Sequence, residues 1–201
     1  GYERLIEEAG KGGYDDYYSL FQFGSIAEHV AEEFGTRGQP ISLTTACASG
    51  ATAIQLGVEA ILRCDTDAAL CMGTDGSICE EMVVRFSLLS ALSTQNDVPE
   101  TASKPFSKNR DGFVMAEGSA ALVLESYDSA VARGATILGV VRGRGEQADT
   151  FHRTRSKPDG SAIIGTLTRV MADAGMGPGD IDYINAHGTS TPENDKMEYM
   201  A

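Results

Sequence analysis

The sequence predicts an α/β fold in which two related halves each carry a reactive side chain at the end of a strand. Three observations lead there. A β-branched run, Ile41 to Thr45, is followed by the small residues Ala46 to Gly50 and then by Ile54, Val58, Ile61 and Leu62 on one helical face. A second apolar run, Ala68 to Gly73, completes a strand–helix–strand unit over residues 41–73, whose right-handed crossover calls for parallel strands. Past residue 134 the order recurs: a strand at 137–141, an amphipathic helix closing at Ala174, and a strand at 182–186. Cys47 follows the first of these strands and His187 the last, where parallel α/β sheets bind ligands.

In chain order, Tyr2 to Ala9 reads as a helix and Lys11-Gly-Gly13 as a flexible break. Tyr14, Tyr17, Tyr18, Phe21 and Phe23 form an aromatic cluster that is either core or a subunit interface. Ser25 with Glu28 has the spacing of a capping box, Ile26, Val30 and Phe34 continue an apolar face, and Gly35 ends it; His29 on this helix reads as an ordinary histidine. Val83, Phe86, Leu89 and Leu92 indicate a helix between Met82 and Leu92. Ser103 to Glu117 is polar and turn-rich, hence a loop, and Ala120 to Leu124 resumes as a strand. A short helix from Tyr127 stops at Gly134, which divides the chain into residues 1–134 and 135–201. Gly143-Arg-Gly145 lacks the third glycine of a dinucleotide fingerprint. Ile163, Ile164, Leu167, Val170 and Met171 trace a helix closed by Gly175, and Thr191-Pro192 followed by Glu193 and Asp195 reads as the capped start of another.

Sixteen Lys plus Arg against 29 Asp plus Glu give a net charge of −13, which argues against nucleic acid or an anionic membrane as the main partner. Cys47, Cys64, Cys71 and Cys79 show neither CxxC pairing nor neighbouring histidines, so no metal site is expected and reduced thiols are the simplest account. No apolar run approaches the roughly 18 residues of a membrane span, and no signal peptide precedes the first element; a soluble, cytoplasmic protein is expected.

Cys47 on a tight turn into a helix has chemical consequences. The free N–H groups and dipole of a helix N-terminus favour thiolate over thiol, and small neighbours let a substrate approach. A buried core cysteine is the alternative. His187 is followed by Gly188, Thr189, Ser190 and Thr191, hydroxyls suited to a ligand; a satisfied buried histidine is the alternative there.

Thr45-Ala-Cys-Ala-Ser-Gly50 resembles the active-site cysteine segment of the β-ketoacyl-acyl-carrier-protein synthases. Pro105-Phe-Ser-Lys-Asn-Arg-Asp-Gly-Phe-Val-Met-Ala-Glu-Gly118 and Asn185-Ala-His-Gly-Thr-Ser-Thr-Pro192 agree with that family in order and spacing, and the elongating synthases are the most similar. The resemblance implies a thiolase-like fold of two halves and a homodimer. It implies an acyltransferase in fatty-acid or polyketide biosynthesis: Cys47 accepts an acyl group and malonyl-ACP is decarboxylated to an enolate that attacks it. It makes His187 one of two histidines that stabilise the enolate, Thr189 and Thr191 binders of the phosphopantetheine arm, Phe86 a lining of the acyl pocket, and Asp195 and Glu198 members of a charged network. For Phe86 a plain core role stays open.

No cofactor or metal is implied, since phosphopantetheine arrives on the acyl carrier protein. That partner is itself acidic, so a local basic patch is needed. Arg142, Arg144, His152, Arg153, Arg155 and Lys157 are the dense basic stretch, unless they form a solvated loop. The chain opens without Met and lacks the family's second histidine segment and glycine-rich loop, so a central portion, inactive alone, is expected. A thiolase or another cysteine-dependent acyltransferase, and a non-catalytic partner subunit, are the alternatives. His-Gly-Thr-Ser-Thr at 187–191 disfavours the first and the presence of Cys47 the second.

Overall fold

Residues 2–12, 18, 22–152 and 154–201 are described by the computed structural model. Helices α1 (Tyr2–Gly10), α2 (Phe23–Phe34) and α3 (Ser49–Leu62) lead into strand β1 (Ala68–Asp75). Helix α4 (Glu80–Leu88), strand β2 (Gly118–Glu125), and helices α5 (Tyr127–Ala132), α6 (Ser161–Ala174) and α7 (Pro192–Met200) follow. Short 3₁₀ turns stand at Pro99–Thr101 and Pro178–Asp180. The glycines read as helix stops act as such: Gly35 and Gly175 are left-handed caps at φ 61° and 65°, and Gly134 follows α5 at φ 69°.

β1 and β2 form an antiparallel ladder from Ala68 opposite Glu125 to Asp75 opposite Gly118. Helix α3 packs on this ladder through Gly57, where a Cβ would stand 2.5 Å from Cys71 Sγ, so the absent side chain sets the helix–sheet approach. Cys71, on the covered face, is buried.

The parallel strand–helix–strand unit expected over 41–73 is not formed. Residues 41–44 carry no ladder, Thr45 makes only an isolated bridge to Cys47, and β1 pairs with β2 instead. Residues 137–141 and 182–186, also expected as strands, likewise carry no ladder. Their apolar composition favours extended backbone, but a strand exists only with a hydrogen-bonded neighbour, and none of the described residues supplies one. Ile41, Leu138, Tyr183 and Ile184 are accordingly exposed, at 69%, 95%, 80% and 67%. The accessible surface is 14775 Å², against roughly 9,100 Å² for a compact monomer of this length.

Helix α2 begins two residues before the expected capping box. Ser25 therefore lies inside it, and its hydroxyl donates to Gln22 O (2.7 Å) rather than capping an N–H. The expected aromatic cluster falls mostly outside the described residues, as does Arg153. Tyr18 and Phe23 are exposed.

Candidate active site

The turn that carries Cys47 is built by its neighbours. Ser49 Oγ accepts the Thr45 N–H (2.9 Å) and donates to Ala46 O (2.7 Å), while the hydroxyls of Thr45 and Thr52 meet at 2.9 Å. Ala46 takes φ 52°, a left-handed conformation uncommon without glycine, and so swings Cys47 out at the head of α3. Cys47 is exposed there. Its thiol is held below the ordinary thiol range, first by the polar ring edge and charge of the neighbouring His187 imidazole, then by its own backbone N–H; partial burial and Asp75 oppose this. Cys71 is the counter-example, its thiol pushed up by burial.

The His187 imidazole is pushed above the ordinary histidine pKa, first by the neighbouring Cys47 thiol and then by the charges of Glu198 and Asp195, against its own desolvation. The loop that presents it is gripped at both ends by α7. Glu198 accepts the N–H groups of His187 (2.6 Å) and Gly188 (2.8 Å), and Asn194 Nδ2 also reaches it at 3.3 Å. Three residues earlier on the helix, Asp195 accepts the Ser190 N–H (3.2 Å) and the Phe106 N–H (2.7 Å) and pairs with Arg110 at 3.3 Å. Asp195 and Ser190 are fully buried, at 1% and 0% exposure. Lys104 N–H donates to Ser190 Oγ (3.1 Å) and Gly112 N–H to Ser190 O (3.1 Å), so the 104–112 loop wraps the histidine loop.

Cys47 and His187, distant in sequence, are thus brought together, with Asp195 and Glu198 behind the histidine. Thr189 and Thr191 lie beside them, half-buried, their hydroxyls 2.9 Å apart. Thr191 occupies the N-cap position of α7 as expected, yet its hydroxyl turns to Thr189 and caps no N–H. Phe86 is half-buried, its ring edge-on to Phe113 with centroids 5.1 Å apart and an interplanar angle of 87°. A cavity of about 830 Å³ opens beside the cysteine turn, between α3 and α6, with Thr45, Ala48, Gln55 and Arg169 in its wall. Among the described residues no group of three or more His, Cys, Asp or Glu side chains is placed to hold a metal.

Arg110 and Phe113 carry no role assigned from the sequence, and Ser190 only that of a hydroxyl suited to a ligand, although all three lie in the quoted motifs. Their partners are far away in the chain, and only the fold reveals them. In the basic stretch, Arg144 is paired with Asp173 (2.8 Å) and Glu59 (3.5 Å), Arg155 with Glu193 (3.7 Å) and Lys157 with Asp159 (2.8 Å).

Residues 4–130 match the family described as Beta-ketoacyl synthase, N-terminal domain, and residues 138–201 match its C-terminal domain. The chain is 42% identical over 172 residues to 3-oxoacyl-[acyl-carrier-protein] synthase 2 of Staphylococcus aureus, covering 86% of this chain and 42% of that protein. A solved β-ketoacyl synthase from Burkholderia phymatum matches with TM-score 0.89 and 34% identity over 98% of this chain and 49% of its own. A type II PKS ketosynthase, bound to its acyl-carrier protein and the hexaketide, matches with TM-score 0.89 and 34% identity, covering 92% of this chain and 46% of that one. The chain therefore spans less than half the length of each. With both family domains matched and the ketosynthase, thiolase-like α/β fold shared, the chain belongs to the β-ketoacyl synthase family.

Proposed function

We propose that the chain provides the acyl-accepting centre of a 3-oxoacyl-ACP synthase. The observation that carries this reading is the approach of the His187 imidazole to Cys47 at the head of a helix, which favours the thiolate. The thiolate attacks the carbonyl carbon of an acyl thioester on carrier protein. The bond from that carbon to the phosphopantetheine sulfur breaks, the sulfur leaves and takes up a proton, and the acyl group stays on Cys47. Malonyl-ACP then loses CO₂, and the electrons of the broken carbon–carbon bond form an enolate whose oxygen His187 stabilises by hydrogen bonding. The enolate carbon attacks the Cys47 thioester, expelling the Cys47 thiolate and leaving 3-oxoacyl-ACP.

Thr189 and Thr191 bond the phosphopantetheine arm, Phe86 lines the acyl pocket, and Asp195 and Glu198 hold the histidine loop. The scheme uses no cofactor or metal. The acyl carrier protein as partner is supported by the ketosynthase relative bound to its own. This chain's basic stretch adds little, because Arg144, Arg155 and Lys157 each face carboxylates. A cytoplasmic homodimer, divided near residue 134 into a cysteine-bearing and a histidine-bearing half, completes the proposal; the two family matches, to residues 4–130 and 138–201, support that division.

Product analysis on the full-length gene product with acyl-ACP and malonyl-ACP tests the reading. One CO₂ released per 3-oxoacyl-ACP formed, with loss of product in Cys47→Ala, is the expected result. Acyl exchange without CO₂ release overturns it in favour of thiolase-type chemistry.

A further inference from the structure

We propose that Arg110 is a positioning residue: locked between Asp195 and three backbone carbonyls, it fixes the His187–Ser190 loop against Cys47. The inference rests on the reading of Cys47 and His187 as the reacting pair. Arg110 is largely buried, its side chain 16% exposed, and every nitrogen of its guanidinium is engaged. Nε meets Asp195 Oδ2 (3.3 Å) and Thr191 O (3.2 Å), Nη1 donates to Ser107 O (2.9 Å) and Nη2 to Pro192 O (2.8 Å). Two of these carbonyls, Thr191 and Pro192, begin α7. A cation against the positive end of a helix is unfavourable by itself, and Asp195 in the first turn offsets it. Such a planar fork satisfies four oxygens in one geometry, which a lysine ammonium does not.

The consequence reaches the cysteine through α7. That helix holds the histidine loop at both ends, by Glu198 at His187 and Gly188 and by Asp195 at Ser190. Releasing the start of α7 from the 106–110 segment lets the loop and its imidazole drift from the sulfur. The charged groups facing the pair are few: Asp75 acts on Cys47, and Glu198 and Asp195 act on His187. The charges that act on Cys47 are those of His187 and Asp75, so an effect of removing Arg110 on the thiol is transmitted by geometry.

The test is the pH profile of Cys47 alkylation by iodoacetamide in the intact chain, for the parent, His187→Ala, Arg110→Gln, Arg110→Lys and Asp195→Asn. We expect Arg110→Gln to move the inflection to higher pH, in the direction of His187→Ala, and to slow alkylation at pH 7 roughly three- to tenfold. Arg110→Lys should recover only part of the loss. Should Arg110→Gln fail to fold, Asp195→Asn carries the same expectation with shape preserved. A folded Arg110→Gln or Asp195→Asn protein with the parent's inflection overturns the proposal, whatever its thermal stability. If His187→Ala itself leaves the inflection unmoved, the reacting-pair reading fails; if it moves the inflection and the other variants do not, only the role of Arg110 fails.

Discussion

The imidazole of His187 stands beside the thiol of Cys47, and each moves the other's titration, the cysteine downward and the histidine upward. Reactivity should follow the thiolate. Brief iodoacetamide treatment near neutral pH is expected to label Cys47 well ahead of buried Cys71, whose thiol is raised, and ahead of Cys64 and Cys79. Peptide mass mapping reads the order, and equal labelling of all four contradicts it.

The same pair links stability to pH. His187 is raised in the folded chain, so its contribution is fully present below the ordinary histidine pKa and is lost as pH rises through the folded value. Cys47 is lowered, so its contribution is present above the ordinary thiol pKa and is lost as pH falls through the folded value. Both residues are exposed, so the effect is small. His187→Ala should flatten the pH dependence of the urea midpoint at both ends; an unchanged pH dependence contradicts the coupling.

Glu198 accepts two adjacent N–H groups with its two oxygens, and glutamine offers only one acceptor oxygen. Glu198→Gln is therefore expected to lower the His187 titration midpoint, followed by imidazole NMR, because it removes both a raising charge and a grip on the loop. A midpoint at the parent's value contradicts that role.

Gly112 is where the 104–112 loop presses on its neighbour: a Cβ there would stand 2.3 Å from Leu92 C and 2.4 Å from Ser93 N. Backbone cannot rotate away as a flexible side chain can, so Gly112→Ala should cost about 1–3 kcal/mol. Gly118→Ala, with nothing within 4 Å, is the neutral comparison. Chemical denaturation measures both, and equal midpoints contradict the tight approach.

Much of this was legible in the sequence where the cause is local. Gly35, Gly134 and Gly175 end helices because the left-handed turn after a helix suits a residue without a Cβ, and the sequence shows them beside the last apolar position. Cys47 at a helix head and His187 after an apolar run were legible for the same reason. The antiparallel partner of β1 was not, since β2 begins 43 residues after β1 ends and composition does not encode pairing. Nor was Arg110 visible as more than one letter of a motif: its partner Asp195 also binds Phe106 N, 89 residues away, and a contact of that span has no periodic signature.

Exposed Ile41, Leu138 and Ile184 on segments without ladder partners leave apolar area that association can cover. Native mass spectrometry at micromolar concentration is expected to show a dimer, and monomer alone contradicts the homodimer proposal.

Acceptance of an acyl group by Cys47, poised by His187, is read by intact-mass and peptide analysis of the chain incubated with acyl-ACP. One acyl adduct is expected, mapped to Cys47, absent from Cys47→Ala and formed more slowly in His187→Ala. No adduct on the parent chain, or an adduct that persists in Cys47→Ala, would contradict it.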